Sequence, residues 1–234
     1  AARLDWGSDV LGFDTPMSMD HGWGPTLQIF LEERNYLVLH EKLDQHFADH
    51  LPFEVHGFPM NFGEPYSDGG VMSFKETYPI HHGISITTPN RFFSDYLGVD
   101  ISQRIAPEVW LTLPQQKLRT IRSGKVYHDG LQSLNKIRQL LHWYPHDLWL
   151  YLLANQWQRI DQDEPLMGRI GDVGDELGSK LTAARLIHNL MNLAFLMEKE
   201  YAPYSKWFGT AFNQLAITND ILLFFYSINK IILC

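Results

Sequence analysis

Between Thr26 and Leu31 apolar and polar side chains alternate, with Leu27, Ile29 and Leu31 on one side, and this period of two predicts a half-buried strand. The period then lengthens. Tyr36, Leu39, Leu43 and Phe47 recur at helical spacing, predicting a helix from Glu33 to His50 that Pro52 stops. From Phe53 to Tyr78 the chain is rich in Gly, Pro, Asn and Ser, and reads as a loop holding one short strand; long ordered loops often carry function. Ile84 to Thr87 predicts another strand. Thr88 and Pro89 then form an N-cap and first turn for a helix bearing Phe92, Phe93, Tyr96 and Leu97, with Gly98 as its stop.

Beyond Pro107 the pattern changes character. Leu118 to Val126 reads as helix, turn and strand, and from Leu131 onward nearly everything has helical period. Leu134, Ile137, Leu140 and Leu141 mark one helix. A second follows Pro145, with Asp147 as its expected cap and with Leu148, Leu152 and Ile160, and is expected to end before Pro165 and Gly168. The third places Leu177, Leu181, Ala184, His188, Met191 and Phe195 on one stripe and ends near Tyr201 and Pro203. The expected class is α+β: a small mixed sheet with helices over residues 1–115, a helical bundle over 116–215, and an apolar tail over 216–234.

Charge narrows the partners. A net charge of -8 argues against a general nucleic-acid-binding surface, while leaving room for a local basic pocket that takes phosphates. One cysteine, Cys234, precludes an internal disulfide, and the chain shows neither a secretory leader nor an apolar run of about 20 residues, so a cytoplasmic protein without membrane partners is expected. Little chain precedes Gly7, and an N-terminal truncation is expected on that ground. Ile221 to Tyr226 with Ile231 to Leu233 forms an apolar ending too short to span a bilayer.

The candidate chemistry lies near the start. In Gly7-Ser8 a small turn could offer backbone and hydroxyl donors to phosphate oxygens, and Asp20, just ahead of the alternating strand, could hold a bridging Mg²⁺. A second acid at i+2 would share its face, but that position is Gly22. The histidines suggest other classes less strongly. His46 and His50 flank Asp49 at i and i+4, where an inverted zinc-protease helix needs Glu; His81-His82 and His128-Asp129 are isolated dyads; and His188 reads as a hydrogen-bonded core residue. Arg185 reads as a salt-bridge partner of Glu176 or Asp175. A Gly-x-Ser-x-Gly turn is missing, and the terminal Cys234 is a poor nucleophile.

Longer runs carry a resemblance. Gly7 to Asp14, Ser18-Met19-Asp20-His21 and Trp23-Gly24-Pro25 open it; Trp110 to Lys117, Tyr144-Pro145, Gly174 to Ser179 and Tyr201 to Trp207 continue it. Together they resemble the domain-of-unknown-function family DUF4037, which is grouped with the nucleotidyltransferases. The resemblance implies a nucleotidyltransferase-like core and Mg²⁺-dependent transfer of a nucleoside monophosphate from a nucleoside triphosphate to a hydroxyl on a small-molecule or protein acceptor. It implies Gly7 and Ser8 at the phosphates, Asp20 at the metal and in catalysis, and Lys206 near phosphate; Lys206 could equally snorkel over Trp207. The family pattern reads Asp-His-Asp where this chain has Gly22, and Glu54 is the substitute metal acid considered. The alternatives are a nucleotide- or anion-binding module without turnover, or a structural, partner-binding domain.

Overall fold

In a computed structural model, which describes residues 1–20, 22–63 and 71–218, the chain is α+β and divides into two compact units, Ala1–His142 and Trp143–Cys234. The change of character near residue 115 falls inside the first unit. Most of the apolar tail, residues 219–234, lies outside the described residues, as do His21 and residues 64–70.

The first unit begins with strand β1 (Ala2–Arg3), a four-residue helix α1 (Ser8–Leu11) and a short 3-10 helix, Pro16–Asp20. Strand β2 (Thr26–Phe30) and helix α2 (Glu33–His50) follow where the change of period puts them. The expected loop contains a hairpin, β3 (Glu54–Val55) with β4 (Phe58–Pro59), and then come β5 (Gly83–Thr87) and α3 (Pro89–Leu97). Thr88 caps α3 as expected, its hydroxyl accepting from the Arg91 amide at 3.3 Å. Helices α4 (Pro107–Thr112) and α5 (Gln115–Ser123), strand β6 (Lys125–Val126) and helix α6 (Ser133–Leu140) complete the unit.

The sheet runs β5-β2-β1-β6, with β5 and β2 parallel and β1 antiparallel to both its neighbours. Helix α2 packs against β5, and α1 against α5, where Leu118 and Ile121 are buried with Leu4 and Phe93. The inward face of α2 is Tyr36, His40, Leu43 and Phe47, each half-buried, while Leu39 is exposed. The true stripe therefore steps from Tyr36 to His40 in place of Leu39, the His40 ring stacking on Tyr36 with centres 4.4 Å apart and its Nδ1 lying 2.8 Å from the Tyr36 carbonyl.

The second unit is built on two long helices packed along each other, α7 (His146–Asp172) and α8 (Glu176–Met197), followed by α9 (Ser205–Phe212). Three expectations change here. Asp147 sits in the first turn of α7, and Pro145 holds the cap position. Pro165 and Gly168 lie within α7: both are solvent-exposed, so water can satisfy the carbonyl that loses its amide partner. On α8 Phe195 is buried and Met191 half-buried, as the stripe predicts, but Leu177, Leu181, Ala184 and His188 are exposed, and Thr182, Ala183, Asn189 and Leu193 are buried in their stead. The mis-set stripe arises because the helix is held to α7 by polar groups that a hydrophobic period does not register. Gln156 Nε2 donates to the Asn189 carbonyl (2.8 Å) and to its Oδ1 (3.2 Å), and Asn189 Nδ2 donates to Asp163 (3.2 Å). Among the described residues no helix is long and apolar enough to cross a membrane.

Candidate functional site

The parallel pair β2 and β5 is registered Thr26 to Gly83, Gln28 to Ser85 and Phe30 to Thr87. Side chains alternate across a pleated sheet, so Leu27, Ile29, Ile84 and Ile86 share one face while Thr26, Gln28, Gly83 and Ser85 share the other. That second face is polar, and it floors a cleft of about 560 Å³. Gln28 is buried there, and its Oε1 accepts the Leu4 amide at 2.9 Å, tying β1 to β2. Gly83 keeps the floor open: a Cβ at this position would lie 2.7 Å from Thr26 Cγ2 and 2.8 Å from Phe62 Cε2.

Arg3, from β1, brings the only strand-borne charge among the described lining residues. Its guanidinium is ion-paired with Asp5, donates from Nε to Asp9 Oδ2 (3.2 Å), and donates from Nη2 to the Trp6 carbonyl (3.1 Å). These bonds fold the loop after β1 against the sheet and set the half-exposed Trp6 indole at the cleft. Gly22, Gly63, His81 and His82 complete the lining. His82 is structural: its Nδ1 accepts the Ile84 amide (3.2 Å), which puts the proton on Nε2, and Nε2 donates to the Asp44 carbonyl of α2 (3.1 Å).

The residues singled out in the sequence occupy different places. Gly7 precedes α1 with φ 147°, and its missing side chain matters, since a Cβ there would collide with the Asp9 carboxylate. Ser8 is the first residue of α1. The pair follows Trp6 directly, so the phosphate turn of the sequence reading adjoins the cleft along the chain. Asp20 ends the 3-10 helix ahead of β2, and Gly22 adopts φ 61°. Glu54 is exposed on β3 and does not line the cleft. Lys206 belongs to the second unit, where its ammonium lies 5.0 Å from the centre of the Trp207 ring. Arg185 does form a salt bridge, but with Asp163 of α7, at 2.6 Å, in place of Glu176 or Asp175. That pairing raises the already high pKa of its guanidinium. His188 is exposed and stacks on Phe208, with ring centres 4.8 Å apart.

Sequence reasoning missed Arg3, Asp5, Trp6 and Gln28. A signal was available in the polar half of the β2 alternation, where Thr26 and Gln28 interleave with Leu27 and Ile29. The donors also bear on Mg²⁺. Position 22 offers no ligand, Asp5 is the one carboxylate among the described lining residues and is held by Arg3, and no group of three His, Cys, Asp or Glu among the described residues could cage an ion. Among the described lining residues, then, the donors that could face a cation reduce to one carboxylate already engaged by Arg3.

No curated protein and no solved structure matches the chain. The expected kinship with DUF4037 holds over part of the chain, beyond Gly7, Ser8 and Asp20: residues 110–208 match the model of the family described as Domain of unknown function (DUF4037).

Proposed function

We propose that the polar cleft of the N-terminal unit binds a nucleoside triphosphate, and that this chain is a nucleotidyltransferase-like protein that holds the nucleotide without turning it over. The observation carrying this reading is the make-up of the cleft. Thr26 and Ser85 supply hydroxyls, His81 an imidazole, Arg3 a buried guanidinium, and Trp6 a flat, half-exposed ring on which a base can stack. The carboxylate pair that would hold metal for transfer is not matched by Gly22 and the paired Asp5. The proposed setting is the cytoplasm, with Cys234 as the one cysteine.

Isothermal titration with ATP and GTP, with and without Mg²⁺, tests this reading. Binding that is nearly independent of Mg²⁺ is expected, together with no labelled product when the protein is incubated with labelled triphosphate and a metabolite extract. Gly22→Asp is the informative variant, because Asp tolerates the left-handed backbone found at this position better than most residues. Turnover gained by that variant would support loss of activity from a transferase ancestor. Turnover by the wild-type chain would show an active transferase, and absence of binding under every condition would remove the nucleotide reading altogether.

A further inference from the structure

A second pocket, of about 270 Å³, lies in the N-terminal unit and shares no lining residue with the cleft. Arg122 enters it from the last turn of α5. Asn135, Arg138, Gln139 and His142 enter it from α6 and the residues just after it. These four are spaced i, i+3, i+4 and i+7, so they follow one side of α6 and the turn after it, with Arg138 beside the buried Leu134 and Leu141. Two guanidiniums, an imidazole and two neutral amides converge, and among the described residues the lining contains no carboxylate.

Arg138 is held in place before any ligand arrives. Its Nε donates to the Ile121 carbonyl (2.9 Å), and its Nη2 donates to those of Arg122 (2.8 Å) and Gly124 (2.7 Å), closing the C-terminal end of α5. Nη1 takes part in none of these bonds. Among the described residues Arg138 has no carboxylate partner, and burial lowers the pKa of its guanidinium. The cation is therefore partly desolvated, rigid and balanced by carbonyl dipoles alone, a state that an oxyanion improves through charge-assisted hydrogen bonds. The volume lies just below the range of drug-sized ligand pockets, about 300 Å³ and upward, and suits a phosphate with a small appendage better than a base, sugar and three phosphates.

We infer that this pocket binds the phosphate group of a small phosphomonoester, independently of the nucleotide proposed for the cleft. The test is titration of the full chain with inorganic phosphate and glycerol 3-phosphate at constant ionic strength. Arg138→Met is a poor probe because it also uncaps α5. Gln139→Glu instead puts a negative charge into the lining at an exposed helix position, and is expected to weaken both ligands by about tenfold or more without lowering thermal stability. His142→Ala is expected to weaken them less, and Gln139→Lys to tighten them. The inference is overturned if the wild-type chain binds neither ligand, or if Gln139→Glu binds them as wild type does. It is also overturned if Ser85→Ala alone removes binding, which would put the phosphate at the cleft. A short single-stranded oligonucleotide that displaces glycerol 3-phosphate at lower concentration would assign the pocket to nucleic acid and would likewise overturn it.

Discussion

Replacing Arg3 with Met removes the cation that ties the loop of Asp5, Trp6 and Asp9 to the sheet. The Arg3 side chain is 9% accessible, against 24% for Asp5 and 33% for Asp9, so the cluster lies between a surface and a buried ion network. Exposed pairs contribute about 0–1 kcal/mol, whereas breaking a buried pair costs about 3–5 kcal/mol because a charge is left unpaired. Arg3→Met leaves two carboxylates unpaired and also deletes the hydrogen bond to the Trp6 carbonyl, so a loss of about 3 kcal/mol is expected. At about 2–4 °C per kcal/mol for a chain of this size, Tm should fall by about 6–12 °C. Arg3→Lys should recover less than half of that, since a point-like ammonium cannot span both carboxylates. Adding Asp9→Asn to Arg3→Met should restore part of the loss, because it removes one stranded charge. Differential scanning calorimetry with urea denaturation reads all three variants. A fall in Tm below about 2 °C for Arg3→Met, or full rescue by Lys, would refute the account of Arg3 as the organiser of the cleft.

Other consequences follow from single residues. Burial against Trp143 and Tyr201 pushes the Tyr144 phenol up from its ordinary 10.0 to about 12. The folded state keeps this proton where the unfolded chain loses it, so the contribution is whole below pH 10 and falls away toward pH 12, by up to about 3 kcal/mol; urea melts of Tyr144→Phe across that range should show a shallower decline than wild type. At Gly124 an added Cβ would meet the Arg3 carbonyl oxygen and come within 2.9 Å of Leu4 Cα and the Thr120 carbonyl oxygen, so Gly124→Ala should cost about 1–3 kcal/mol in chemical denaturation, these obstacles being backbone. Between α7 and α8, Gln156→Leu alone should cost about 1–3 kcal/mol by stranding the Asn189 Oδ1 acceptor, and Gln156→Leu with Asn189→Leu should cost less than the single change; additivity in this cycle would refute the polar ladder.

The fold was legible wherever a period had room to repeat. Five residues of alternation gave β2 and eighteen of helical spacing gave α2, and both ends of α2 carried chemistry, with Glu33 in its first turn and Pro52 beyond its last. Thr88 and Pro89 marked α3 because a cap is a local event. Legibility failed where tertiary contact outweighed local preference. Proline inside α7 is tolerated on its solvent side, and α8 turns toward α7 the face that holds Asn189 and not its richest apolar stripe. The cleft itself was hard to read for a related reason. The β1 strand is two residues long and can show no period, so Arg3 gained its meaning only through the strands beside it.

That short strand has a consequence for how the chain can be divided. Ala2 pairs with Gln28 on one side and with Val126 on the other, so the first residues stitch β2 to β6 across nearly a hundred positions of sequence. The stretch shared with DUF4037, residues 110–208, thus lends β6 to a sheet whose other strands lie outside it, and it also supplies α7 and α8 to the second compact unit. As a segment of kinship it is continuous; as a physical object it is split, and a fragment cut at its boundaries would carry a strand edge with nothing left to pair.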